Sequence, residues 1–217
     1  MIKFHSLLFL LLSLSLYAGQ RPVVNVDFRN GGFNPFDERS GNWQETPTGL
    51  QEYSDLPDQD SVTFTNRLFF GPNTALTVTA LPKDEIGTMW IDFGCKNNGD
   101  CLRLVHESGN SVAVRLYRIA NGKHTLLGSV DNTDVSLDRG NGEQMLQFKL
   151  SSSGDAIQVQ LNKTQLFCVR CADMPSGGVA LGVRGRKVEF KTVSARTYKN
   201  LTLSMMPAEV SDLEFTV

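Results

Sequence analysis

Six side chains have types and spacings that strand geometry would gather on one surface: Trp90, Asp92, Arg103, Glu107, Arg115 and Tyr117. All lie in the stretch Gly87 to Arg118, GTMWIDFGCKNNGDCLRLVHESGNSVAVRLYR, which breaks into three segments of period two. Such alternation predicts three consecutive strands in a meander. One face would collect Met89, Ile91, Phe93, Leu102, Leu104, Val112, Val114 and Leu116, an apolar set that must be buried. The other would carry two aromatics, two arginines and two carboxylates. Sugars offer C–H faces that stack on rings, and hydroxyls that need planar donors and acceptors. This polar face therefore suits a saccharide ligand, and the equal alternative is that Trp90 is covered by a loop and serves as core.

Catalysis finds less support. Glycoside hydrolysis needs two carboxyl groups about 5–10 Å apart. Asp92 and Glu107 are the pair that could meet that spacing. The competing reading pairs each with Arg103 or Arg115 to keep an exposed sheet soluble, each pair contributing roughly 0.2–1 kcal/mol. That reading is preferred, so no catalytic residue is assigned. Past the N-terminal segment only His106 and His124 remain, and His106 falls on the core-facing side of its segment. There is no Gly-x-Ser-x-Gly elbow. Trp43 reads as a core aromatic.

Four cysteines follow: Cys95, Cys101, Cys168 and Cys171. Cys95 and Cys101 flank Lys-Asn-Asn-Gly-Asp between two segments of the meander, and a disulfide there would clamp the hairpin. Cys168 and Cys171 would then join across Val169-Arg170. Four cysteines allow three connectivities, and a zinc site built from the same four is the alternative. An oxidising compartment favours disulfides, so no metal is assigned. Asn97, Asn98 and Asp100 form one oxygen-rich loop, and Asp131, Asn132, Asp134 and Asp138 another. Calcium is the cofactor such loops could hold, although neither has regular ligand spacing and Asx-rich turns account for both. Asn162-Lys-Thr and Asn200-Leu-Thr are glycosylation sequons.

The elements that must position these residues are short strands. Outside the first residues no helical period is sustained. Apolar alternation recurs at Val23 to Phe28, Gly49 to Tyr53, Ser61 to Phe69, Ala75 to Ala80, Leu146 to Leu150, Ile157 to Leu161, Val179 to Val183 and Val188 to Val193. Asn121-Gly122 marks a hairpin. The segment from Arg29 to Gly41 reads as loop. About a dozen strands imply an all-β, two-sheet antiparallel sandwich. Residues 1–18 have the layout of a signal peptide: Lys3, then an apolar run from Leu7 to Leu16, then Tyr17-Ala18-Gly19. That run is too short to span a bilayer, and no other stretch is apolar enough. Residues 19–200 would be one domain, and residues 201–217 an extra strand or a tail. The expected location is secreted, or periplasmic in a bacterium. Without Lys3, 20 basic residues face 23 acidic ones, with no basic block. Nucleic-acid binding is not supported.

Three parts of the chain resemble the concanavalin A-like jelly roll, the group that includes laminin G-like domains, many lectins and family 16 glycosidases. They are Val26-Asp27-Phe28 with Gly41-Asn42-Trp43 and Gly49-Leu50; Ile157-x-Val159-x-Leu161-Asn162 with Leu166-Phe167; and Gly178 to Val183 with Val188 to Val193. The resemblance implies a jelly-roll sandwich whose first strand pairs with its last, bringing Val26 near Phe190, and whose concave sheet often holds the ligand. It also implies that family 16 chemistry is missing, because no strand carries a Glu-x-Asp-x-x-Glu run. The expected partner is a glycan or surface glycoconjugate. Two alternatives stay open: a glycan hydrolase or lyase using Asp92 and Glu107, and a protein-binding adhesion or structural module.

Overall fold

The computed structural model describes residues 24–29, 34–53, 58–96, 99–131, 145–198 and Leu203. The expected signal peptide, Asn97, Asn98, Asn132, Asp134, Asp138 and Asn200 lie outside the described residues. Fifteen strands run in chain order as β1 (Val24–Asp27), β2 (Asp37–Ser40), β3 (Trp43–Thr46), β4 (Gly49–Glu52), β5 (Ser61–Phe70), β6 (Thr74–Pro82), β7 (Gly87–Cys95) and β8 (Cys101–Ser108). They continue as β9 (Val112–Ala120), β10 (Lys123–Asp131), β11 (Leu146–Ser153), β12 (Ala156–Leu161), β13 (Thr164–Arg170), β14 (Gly177–Arg184) and β15 (Val188–Thr197). No helix occurs among the described residues, so none there is long and apolar enough to cross a membrane.

The strands form two antiparallel sheets. One has seven strands in the order β10-β9-β8-β7-β14-β5-β2. The other has eight, in the order β13-β12-β11-β6-β15-β4-β3, with β1 also on β15. Alternation dictates the layering, because successive side chains on a strand point to opposite faces. The inner faces meet in a core where Phe28, Phe70, Phe93, Phe148, Phe190, Leu68, Leu76 and Leu104 are each under 2 % exposed. Burying one such side chain contributes roughly 1.5–3 kcal/mol. The expected apolar face of the meander, from Met89 through Leu116, is buried here throughout.

The first and last strands pair as the resemblance implies. Val26 stands opposite Val193, and the Phe28 amide donates to the Lys191 carbonyl. Two short elements depart from the sequence reading: β3 has no counterpart in it, and β2 lies inside the segment read as loop. Its Asp-Glu-Arg-Ser sequence has no apolar alternation, since it is an edge strand. It is held by the Thr63 hydroxyl donating to the Asp37 carbonyl and the Val62 amide donating to Ser40 Oγ.

One buried carboxylate ties the β3–β4 hairpin to the sheet. Glu189 on β15 is 2 % exposed. It takes 2.8 Å ion pairs from Lys83 and Lys191 and hydrogen bonds from the hydroxyls of Thr46 and Thr48. Burial alone would raise its pKa, but these donors more than reverse that and hold it at about 2, against an ordinary 4.5. A depressed folded-state value stabilises fully above the unfolded one and loses that contribution as pH falls through the folded one. Wild-type stability should therefore drop between pH 4.5 and about 2, by up to about 3 kcal/mol from this group. Urea melts across that range should show a shallower pH dependence for Glu189→Gln, together with lower stability at pH 7.

Candidate functional site

The outer face of the seven-stranded sheet is built by the meander and its neighbours. Asp92 on β7 stands opposite Arg103 on β8, which stands opposite Tyr117 on β9. One row away, Trp90 stands between Gly182 on β14 and Val105 on β8, with Arg115 next. Glu107 stands opposite Thr88. The six residues thus share one face, as their spacing implies.

Their side chains are not equally available. Trp90 is 4 % exposed. Its indole lies across Gly182, where a Cβ would fall inside the ring. The Arg103 guanidinium sits over the indole at 5.0 Å from the centroid, a cation–π contact worth roughly 1–2 kcal/mol at a partly desolvated site. Arg103 Nε and a terminal nitrogen donate to the two Asp92 oxygens at 2.7 Å each. Burial pushes the Asp92 carboxyl above its ordinary pKa, and this bidentate contact opposes the shift. Burial also disfavours the charged Arg103, but the Asp92 contact outweighs it, so the guanidinium titrates higher than usual. Trp90 Nε1 is buried without a hydrogen-bond partner.

The expectation for Trp90 changes as a result, and the arginine pairing preferred for the two carboxylates is the one present. Trp90 is a packed ring sealed beneath Arg103, with no free face on which a sugar could stack. Asp92 and Glu107 are each held by an arginine, in different rows of the sheet. Asp92 aligns with Arg103, and Glu107 lies four residues further along β8, about 13 Å at ~3.3 Å per residue. Glycosidase carboxylates stand roughly 5–9.5 Å apart. Glu107 is moreover paired with Arg115. Tyr117 is half-buried, with its ring 6.2 Å from that of the exposed His124. His106 is 1 % exposed, edge-on to Phe148 and in contact with the buried Arg186, a core histidine as its position implies.

The open part of this face lies beyond the Asp92 row. A hollow of about 360 Å³ is lined by Phe64, Asn66, Phe69, Cys95, Lys96 and the turn into β14 at Ser176 to Gly178. Phe69 is 52 % exposed. Apart from Cys95, these residues carry no local sequence signal, because they come from three strands far apart in the chain. One signal was present: Gly178, Ala180 and Gly182 alternate along β14, so one side of that strand is nearly bare. Rings from both neighbours fill the bare track, Trp90 on Gly182 and Phe64 on Gly178.

All four cysteines are free thiols in this structure. Cys95 and Cys101 are adjacent across β7 and β8, and the hydrogen bond between them, together with burial, pushes the Cys95 thiol up. Cys168 and Cys171 are not brought together as expected. Phe167 and Val169 on β13 pack on the core, Cys171 follows the strand's end and is also buried there, and Cys168 is half-buried opposite Gln158. Residues three apart on an extended backbone face opposite ways. Asp100 is engaged by Arg118 at 3.9 Å and accepts from the Asn121 amide at 2.9 Å. Among the described residues no three His, Cys, Asp or Glu cluster to hold a metal. Asn162 sits at the β12–β13 turn with φ of 48°, its side-chain oxygen accepting from the Gln147 amide at 2.8 Å.

Removing the Asp92 carboxylate should unseat Arg103 and uncover the indole. Asp92→Ala is expected to cost about 3 kcal/mol, the cost of leaving a largely buried charge unpaired. It should also shift tryptophan emission to the red. Combined Asp92→Leu and Arg103→Met should recover most of the stability, as chemical denaturation of both variants will show.

No protein-family model matches the sequence, and no curated protein sequence matches it. Solved structures do match. The carbohydrate binding module CBM66 from Bacillus subtilis superposes with a TM-score of 0.63 at 16 % identity, over 76 % of this chain and 96 % of that one. The Emp47p carbohydrate recognition domain gives 0.61 at 10 % identity, over 84 % and 98 %. The Bacillus licheniformis beta-glucanase gives 0.59 at 10 % identity, over 82 % and 99 %. At such identities the likeness is one of fold, and it agrees with the two-sheet topology and the β1–β15 pairing. The chain has the concanavalin A-like jelly-roll fold of lectins and glucanases.

Proposed function

We propose that the chain is an exported, non-catalytic module that binds a glycan or surface glycoconjugate through the outer face of its seven-stranded sheet. The observation that carries this reading is the hollow beside the Asp92–Arg103 pair. It offers Phe64 and the exposed Phe69 for C–H stacking, the Asn66 amide and Ser176 hydroxyl for sugar hydroxyls, and Lys96 as a charged donor. Fold neighbours that include a carbohydrate binding module and a carbohydrate recognition domain support the ligand class. The N-terminal apolar segment supports export. The separation of Asp92 and Glu107 weighs against hydrolysis by that pair.

The test is a glycan array with wild type, Asn66→Ala and Lys96→Ala. Binding should fall about tenfold in each variant, as expected for a lost hydrogen bond at a saccharide site. Unchanged binding in both would remove the hollow from consideration. A second reading draws on the sealed centre around Trp90 and on Leu126, 51 % exposed beside Tyr117. A face whose charges are already paired suits a protein partner. An array blank for every glycan would favour that reading.

In an oxidising compartment the adjacent Cys95 and Cys101 thiols join, closing the loop that carries Lys96 at the rim of the hollow. Alkylation of the unreduced, denatured protein should label only Cys168 and Cys171. Label on all four cysteines would refute the clamp.

A further inference from the structure

The two open edges of the sandwich differ. On one side β10 and β13 close against each other, with Phe167 and Val169 packed onto Gly128. On the other, β2 ends one sheet and β3 the other, and a cleft of about 300 Å³ lies between them. Its lining comes from both sheets: Asn34, Phe36 and Thr63 on one side, Trp43, Glu45 and Leu50 on the other. The volume is at the lower end for small-molecule pockets and has room for a single sugar ring.

The side chains there are arranged for such a ring. Leu50 and Phe36, 2 % and 7 % exposed, give an apolar floor. The Trp43 indole is half-buried and held in place. Its Nε1 donates to the Ser40 carbonyl at 2.9 Å, and its ring packs against Phe190 at 6.1 Å. Glu45 is two residues along the same strand, so it shares the inward side with Trp43. Its carboxylate is exposed and has no hydrogen bond or ion pair among the described residues. The Asn34 side-chain oxygen accepts from the Phe36 amide at 2.9 Å, which leaves the amide nitrogen free to donate. An inward charge on an edge strand can serve merely to block strand addition. That role explains Glu45 alone, and not a pinned indole and an oriented amide around the same cavity.

We infer that this cleft is a second saccharide subsite, distinct from the sheet face, and that it takes one neutral pyranose or furanose residue of an oligosaccharide. The ring's C–H face would stack on Trp43, its hydroxyls would donate to Glu45, and another hydroxyl would accept from Asn34. Glu45 is the one charged side chain among the described lining residues, and its carboxylate disfavours uronic and sulfated sugars. This inference rests on reading the chain as a saccharide binder.

The test uses the two indole N–H resonances of the protein, labelled with nitrogen-15 and assigned with Trp43→Phe. Cellobiose, lactose and sucrose are titrated in turn, with glucuronic acid as the charged probe. At least one neutral disaccharide should shift the Trp43 resonance saturably, and glucuronic acid should not. Glu45 is exposed, so Glu45→Ala should keep the wild-type melting temperature while weakening the titration about tenfold. Wild-type titration by Glu45→Ala, or an equal response to glucuronic acid, would overturn the subsite. Shifts confined to the sheet face, with Trp43 silent, would overturn the subsite and leave the proposed function standing. Silence everywhere with all four probes would count against both.

Discussion

Two sheets exclude water between them only if every strand keeps one face apolar, and β14 meets that demand inside the seven-stranded sheet with Val179, Leu181 and Val183. On its other face the same strand offers Gly178, Ala180 and Gly182. The face it leaves bare decides what its neighbours must do. Trp90 leans across the gap onto Gly182, Arg103 covers the ring, and Asp92 neutralises Arg103. Each step follows from the one before. A bare strand needs a large covering side chain, a buried ring draws a cation, and a buried cation needs a carboxylate.

That sequence of dependencies moves the chemistry of the face outward. The residues with the strongest apparent potential at the centre are spent on one another. Two further pairs, Glu107 with Arg115 on the sheet and Asp60 with Arg184 at the strand ends, are likewise neutralised. What stays available lies at the margins. One open place is the hollow between Phe64, Phe69 and Lys96, and another is the cleft between β2 and β3. Both sit where a strand ends or a sheet stops, so side chains no longer have neighbours on all sides. Binding residues concentrate at such places because the scaffold fixes them without consuming their polar groups.

The eight-stranded sheet shows the opposite economy. Its outer face carries Glu189 among Lys83, Lys191, Thr46 and Thr48, a cluster whose donors are all directed inward. Such a cluster holds the short β3–β4 hairpin onto β15 and so holds Trp43 and Glu45 in place at the sandwich edge. Stability on one face thereby shapes a cavity on another.

Period-two alternation is a property of each strand by itself, so the amino-acid sequence determined the strands, their buried sides, the sandwich and the sharing of one face by Trp90, Asp92, Arg103, Glu107, Arg115 and Tyr117. Even the adjacency of Cys95 and Cys101 follows from a hairpin. What alternation cannot encode is register and lateral order. Only the tertiary structure placed Gly182 beneath Trp90, set Glu107 four residues from the Asp92 row and buried Cys171 in the core. It alone joined β2, unmarked by any apolar pattern, to β5 and opened a cleft between it and β3. Those outcomes depend on which strands meet across the sheet, and pairing between residues far apart in the chain is decided by packing of the whole core.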